Sequence, residues 1–282
     1  MNQFIVTHAI MIRMIFFIGI LLIMAGWEVT APRRQLQQSK VKRWFSNLSI
    51  VVLNSILRRL LFASAAVGIA LLADDKEWGF FHYYHVNFSV AFIASVIILD
   101  LAIYLQHVMF HAIPLFWRFH RMHHVDLDFD VTTGIRFHPI EIILSMLIKF
   151  TVIILIGAPV SAVIVFEVLL NATSMFNHGN VRLLLGLDKV IRTVIVTPDM
   201  HRVHHSINAD ETNSNFGFNF SCWDRLFGTY RNQPRAGHEG MTIGISTFRE
   251  PEICNNLLQM LYLPFIGKVK DYVINRRFKS KR

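Results

Sequence analysis

The sequence predicts an all-α polytopic membrane protein with three spans, a helical hairpin and a cytoplasmic, histidine-rich helical cap. Three observations predict it. The 282 residues are 53% hydrophobic and only 17% charged, below the quarter expected of a soluble globular domain. Several apolar runs approach the ~20 residues that cross a hydrocarbon core at 1.5 Å per residue. The dense histidine motifs begin only after the third of these runs, at spacings that suit helices.

The first span is expected over Phe4–Met24. It is too long for the apolar region of a signal peptide, and no basic segment precedes it. Arg13 sits in its middle and is expected to face another helix or to snorkel to a headgroup. A second run, Ile50–Leu72, is interrupted by Arg58 and Arg59, so this helix should enter the membrane late. The third run is Phe88–Leu105. These spans and their loops make a first region, 1–106, followed by a di-metal region over 107–250. Within the latter, residues 142–176 are apolar but broken at Gly157, Ala158 and Pro159, as expected of two helices joined by a tight turn. Each arm is about 15 residues, short of a full span. From Arg192 onward the chain is polar and rich in Asn, Gly and Pro. The last region, 251–282, is an amphipathic basic tail in which Ile253–Phe278 suits an interfacial helix.

A net charge of +9 is accompanied by no aromatic-basic motif, so no nucleic-acid partner is expected. Arg33, Arg34, Lys40, Lys42 and Arg43 crowd the loop after the first span, whereas Asp74, Asp75, Lys76 and Glu77 follow the second. The positive-inside rule puts the first loop, and everything after about Gln106, on the cytoplasmic side. That means the inner membrane of a bacterium or the endoplasmic reticulum of a eukaryote. Two cysteines, Cys222 and Cys254, cannot build a disulfide framework or a four-thiolate zinc site.

Of fourteen histidines, ten form a pattern. His107 and His111 lie one helical turn apart on one face. His120, His123 and His124 follow at i, i+3, i+4, and the same triplet recurs as His201, His204 and His205. Two single histidines intervene, His138 before Pro139 and His178 after Asn177. Chance would supply roughly 0.03 such triplets in a chain of this composition. The scattered His8, His82, His85 and His238 read as ordinary surface or core residues. Ten imidazoles exceed the needs of one ion, and no H-E-x-x-H motif is present. Two ions with four or five nitrogen ligands each would use them all, and such ligands suit iron, zinc, copper and nickel.

The order H-x-x-x-H, H-x-x-H-H, His-Pro, a lone His, then H-x-x-H-H resembles the fatty acid hydroxylase and sterol desaturase superfamily. The resemblance covers roughly Asp100 to Thr229. It includes Tyr104, Thr197-Pro198-Asp199, Asn215-Phe216-Gly217 and the stretch from Trp223 to Thr229. It implies a membrane enzyme holding two iron ions on the ten histidines and using O2 and electrons to hydroxylate or desaturate a fatty acyl, sterol or alkyl lipid. No cytochrome-like segment precedes the first span, so electrons are expected from a separate donor, a ferredoxin or a cytochrome with its reductase. The rival readings are a metal-binding or metal-transport protein without oxygenase activity, and a bis-histidine haem protein.

Groups that accept a hydrogen bond from a ligand's second ring nitrogen should surround such a site. Asp199, Asn177 and Asp224 are candidates by position. The competing roles are a helix N-cap for Asp199 and a surface ion pair with Arg225 for Asp224.

Overall fold

The computed structural model describes residues 7–62, 65–269 and 272–274. The helices are α1 (Ala9–Thr30), α2 (Lys40–Leu61), α3 (Ala65–Asp75), α4 (Phe80–Tyr83), α5 (Phe88–Ala112), α6 (Pro114–His124), α7 (Pro139–Ile156) and α8 (Val160–Asn177). The cap adds α9 (Leu185–Ile191), α10 (Pro198–His204), α11 (Ala209–Thr212), α12 (Cys222–Leu226), α13 (Gly237–Gly240), α14 (Pro251–Cys254) and α15 (Leu257–Tyr262). Among the described residues there is no strand beyond three isolated bridges.

Among the described residues, five stretches are long and apolar enough to cross a membrane: α1, the run of α2 to α4 from Lys40 to Tyr83, α5, α7 and α8. The protein is therefore multi-pass, and the expected hairpin is α7 and α8. Its arms are 18 residues each, longer than the sequence suggested. Apolarity falls off near the cap but helicity does not, because His138 and Pro139 start α7 before the apolar run begins. At the turn, Gly157 takes φ 69° and caps α7, and Gly79 packs against it. A Cβ on Gly79 would stand 2.1 Å from the Gly157 nitrogen, so only glycine permits this approach. The second run departs from expectation. Helix begins at Lys40 and ends at Leu61, with Arg58 and Arg59 in its last turn, and α3 resumes at Ala65. Residues 63 and 64 lie outside the described set, as do 4–6 of the expected first span.

The membrane core is built where α5, α7 and α8 meet. Leu99, Ile103, Met146, Phe150, Ile153, Val163 and Phe166 are buried together there. Ile93 and Ile97 of α5, like Ile10 and Met14 of α1, point outward and are exposed, as lipid-facing side chains must be. Arg13 faces another helix, as expected: it pairs with Glu167 of α8 at 2.6 Å, which Lys149 of α7 also approaches at 2.8 Å.

The cap is held to this bundle by buried charge. Arg43, fully buried, clamps Asp126 through two bonds of 2.9 Å and reaches Asp130 at 2.6 Å. Arg136 donates to the carbonyls of Met122 and Cys254 and to Asn47. Arg33 meets Asp199 and Glu239, and Arg34 donates to the carbonyls of His238 and Met241. Thus four of the five cations behind the topology argument have partners within the protein, Lys40 approaching Glu28 at 3.9 Å. They still fix one relation: the loop after α1 lies on the same side of the bundle as the cap.

The C-terminal segment is not one interfacial helix. It breaks at Asn255 and Asn256 between α14 and α15 and bends again through a 3-10 turn at Leu263–Phe265. Tyr272 and Val273 are buried with Trp117, Met122 and Leu263 in the cap's own core. The closing basic residues, Arg276, Arg277 and Lys279, lie outside the described residues.

The clamp on Asp126 can be tested. Removing one partner of a buried ion pair strands the other, so Arg43→Met should cost about 3–5 kcal/mol, read as lowered thermal stability in detergent at neutral pH. Burial alone would raise the Asp126 carboxyl, but Arg43 and Arg136 outweigh it and hold it at about 2. A carboxyl depressed by folding stabilises the native state above its unfolded value, 3.8, and that contribution fades as pH falls from there toward 2. The gap between wild type and Asp126→Asn should therefore narrow over that window. A pH-independent gap would show that the clamp contributes shape and not charge.

Candidate metal centre

The histidines are brought together where α5 and α8 emerge from the bundle. Helix α5 carries His107 and His111 past the end of its apolar run. Pro114, at the first position of α6, suits the turn between them because its missing N–H would have no helical partner there. Helix α6 then lays His120, His123 and His124 across the end of α5. His178 caps the C-terminus of α8. Helix α10, opened by Pro198 and capped by the Thr197 side chain, which accepts from the Met200 N–H, delivers His201 and His204 and is followed by His205.

Nine of the ten expected histidines converge, in two groups that could each hold a metal ion. One is His107, His111, His120, His124 and His204; the other is His123, His178, His201 and His205. Within each group one ring nitrogen per residue lies within 4.8 Å of all the others. All nine are buried. Neither triplet stays together: His123 leaves the other two of its triplet, and His204 leaves its neighbours, to join the opposite group.

The far side of each ring decides what these nitrogens are. Nδ1 of His107 donates to the Phe216 carbonyl at 2.8 Å, His178 to Ser174 at 2.7 Å, His204 to Ser214 at 2.8 Å and His123 to Arg136 at 3.2 Å. Nδ1 of His120 donates to Glu141 at 2.6 Å. His111 faces Asn213 Oδ1 at 3.0 Å, and that amide is oriented because its nitrogen donates to the Tyr272 carbonyl. A carbonyl can only accept, so the ring proton resides on Nδ1 and Nε2 is left as a lone pair. Yet Nε2 of His107 stands 3.1 Å from that of His120, and the same distance separates His123 from His178. Lone pairs set face to face are repulsive unless a cation lies among them. The residues present therefore fit a metal at each group.

Burial also keeps these rings neutral, which ligation requires. It holds His120 and His178 down to about 3, and His123, His124, His201, His204 and His205 well below the ordinary imidazole value, with neighbouring histidines adding to the effect at the latter five.

The structure does not bring His138 to either group. Its Nδ1 accepts from the Ile140 N–H as the N-cap of α7, and its Nε2 faces the Leu261 carbonyl at 3.2 Å. His8 is half-buried and His85 exposed, and His238 is buried beside Asp199. Glu141 is the residue that sequence reasoning passed over. Its signal was present: the one acid of α7, just ahead of the apolar run, where an unpartnered charge is costly.

The three outer candidates all act at one remove. Asp224 accepts from the backbone N–H groups of Phe216 at 2.7 Å and Gly217 at 2.9 Å, so it fixes the segment whose carbonyl holds His107. Asn177 donates to the Phe218 carbonyl at 2.9 Å. Asp199 is not the N-cap of α10; it binds Arg202 and Arg33. Gly134 admits the close approach of α8, since a Cβ there would meet the Ser174 carbonyl at 2.5 Å and His178 Nδ1 at 3.1 Å.

On the membrane side two aromatic rings close the site. Phe137 stacks on His123 at 4.6 Å, and Phe218 lies 5.1 Å from His107 and 5.9 Å from His201. Both belong to the apolar core of the bundle.

Comparison with known proteins agrees with this geometry. Residues 92–229 match the model of the fatty acid hydroxylase family. Over 272 residues the chain is 25% identical to the ornithine lipid hydroxylase OlsE of Rhizobium tropici, covering 94% of this chain and 79% of that protein. It is 31% identical over 153 residues to the alkylglycerol monooxygenase of Xenopus tropicalis, and 27% over 154 residues to the human one. Those alignments take in 53% of this chain and 32% of each monooxygenase, so the chain spans about a third of their length. No solved structure matches it. The matched segment encloses both imidazole groups, so residues 92–229 form a fatty acid hydroxylase domain.

Proposed function

We propose that the two imidazole groups hold two iron ions and that this membrane enzyme inserts oxygen into a C–H bond of an acyl or alkyl lipid. The chain is an oxygen-dependent lipid hydroxylase. One observation carries the metal assignment: buried imidazole nitrogens converge in two groups, with the protons of six of the nine rings fixed on Nδ1 by acceptors behind them. In this reading His107, His111, His120, His124 and His204 hold one ion and His123, His178, His201 and His205 the other, while His138 serves as the cap of α7. The near full-length match to an ornithine lipid hydroxylase favours a polar-headed membrane lipid as substrate and hydroxylation over desaturation.

Bound iron would supply the reduction of oxygen and the oxidising power that C–H attack needs. The chain's residues do the rest. Backbone carbonyls and Glu141 orient the rings and raise their basicity. Phe137 and Phe218 give the site an apolar, water-poor wall on the side from which a lipid chain arrives. Electrons come from a separate ferredoxin or cytochrome, and the cap faces the cytoplasm.

Anaerobic loading with ferrous iron should give two non-haem irons per chain. Turnover under 18O2 should place one labelled oxygen in a product lipid, and His204→Ala should abolish it while the protein still inserts. A haem spectrum, or label-free product, would sink the proposal. Glu141→Ala should weaken metal binding by about 10–100-fold in a titration, with Glu141→Gln far closer to wild type, because an amide oxygen still accepts from His120. His138→Ala should keep the full metal content and lose only about 1 kcal/mol of stability; loss of an iron there would return His138 to the ligand set.

A further inference from the structure

We propose that α9 and α12 form a wedge that dips into the acyl edge of the bilayer on the cap side, so that lipid, not water, covers their apolar outer face. Neither helix is among the stretches long and apolar enough to span.

Helix α5 supplies a depth gauge. It starts at Phe88 beside a loop carrying exposed Trp78, Tyr83 and Tyr84, residues that favour the membrane–water interface. Twenty residues from there rise about 30 Å, the thickness of the hydrocarbon core, and reach only the level of Val108. Asp100 and Tyr104 therefore lie at hydrocarbon depth, and Leu105 beside them is 50% exposed, continuing the lipid-facing stripe.

The α12 segment is bonded to those two side chains. Trp223 Nε1 donates to Asp100 at 2.8 Å, and the Phe220 N–H at 3.3 Å. Tyr104 and Thr229 hydroxyls meet at 2.8 Å, and the Phe227 ring stacks on Tyr104 at 5.4 Å. Helix α9 is tied to the same level: the Ser221 N–H donates to the Val194 carbonyl at 3.0 Å, and the Arg192 carbonyl accepts from Ser221 Oγ at 2.7 Å and from Arg225 at 2.8 Å.

What this pair presents outward is apolar. Leu184 and Leu185 are each 78% exposed, Val190 68% and Leu226 69%, and Leu187 and Phe227 join them. Asp188 is buried against Arg192, which removes the helix's one acid from that face. Arg182 and Lys189 flank it, placed for lipid phosphates. In water such a patch would be an association hazard; beside a spanning helix it is a monotopic anchor. The wedge is independent of the chemistry proposed for the imidazoles, but it has a consequence for it. His107 lies one turn above Tyr104, so a lipid carbon need not leave the acyl region to approach the site.

The test is a depth measurement that needs no turnover. With Cys222→Ser as background, Leu185→Cys and Leu226→Cys carry a nitroxide in bilayers of phosphatidylcholine with phosphatidylglycerol. Ile93→Cys on α5 is the lipid reference and Glu239→Cys the aqueous one. Collision with oxygen should exceed that with a water-soluble nickel chelate severalfold at both wedge sites, as at Ile93, and the order should reverse at Glu239. Wild-type metal content identifies folded variants, and Leu184→Cys replaces either site that fails that check. Wedge labels that behave like Glu239 overturn the proposal. So do labels shielded from both reagents with spectra broadened by a neighbouring spin, which mean a second copy covers the patch.

Discussion

The structure depends on one electrostatic requirement: lone pairs of buried imidazoles must point at one another. Water would satisfy such nitrogens, but all nine rings are buried. Rotating a ring by half a turn would put its proton into the cluster and relieve the repulsion at once. At His107, His111, His120, His123, His178 and His204 the acceptors behind Nδ1 forbid this, because turning away would break a bond of about 1 kcal/mol or more and orphan a buried acceptor. Convergence is thus imposed by the backbone of Phe216, Ser214, Ser174 and Arg136, together with Glu141. Everything else in the cap can be read as a means of keeping those acceptors still.

That explains where the cap spends its buried charges. The loop over 125–137 carries the Arg136 carbonyl that holds His123, and Asp126, Asp130 and Thr133 within it are locked onto Arg43 of α2. Asp224 pins the backbone of Phe216 and Gly217 from below. Trp117 packs between His111 and His124 and stacks on Tyr272, whose carbonyl orients Asn213. Apart from Trp117, which touches the rings directly, each support reaches a ring through one intermediate, and each comes from a different part of the chain.

This division also sets what the sequence could reveal. Helical periodicity made the histidine pair and triplets legible, and apolar runs gave the spans and the hairpin, because side-chain type and spacing carry both signals. Backbone acceptors have no signature in residue type, so the supports for four of the rings were invisible. His138 looked like a ligand because His-Pro at a helix start suits either role, and only the direction of the ring tells a cap from a ligand. Arg33, Arg34 and Arg43 looked like headgroup-facing cations for a related reason: charge counting cannot see carboxylates and carbonyls contributed from far along the chain. Apolarity alone likewise could not distinguish the C-terminal segment's burial in the cap from adsorption to a membrane.

Helix α5 joins the two environments that this design must reconcile. Its apolar part fixes the depth of the bundle in the bilayer, and its last two turns carry His107 and His111, so the imidazole groups cannot shift relative to the membrane without moving a span. Neutral rings with low proton affinity suit that position, since a protonated cluster close to the acyl region would carry a heavy desolvation penalty. Phe137 and Phe218 complete the argument from the other side. They cover the rings toward the bundle with apolar surface, keeping bulk water from the nitrogens while leaving an environment that hydrocarbon can share. The polar acceptors all stand behind the rings and the apolar contacts in front of them. This asymmetry suits the clustered nitrogens to a cation and the wall before them to hydrocarbon.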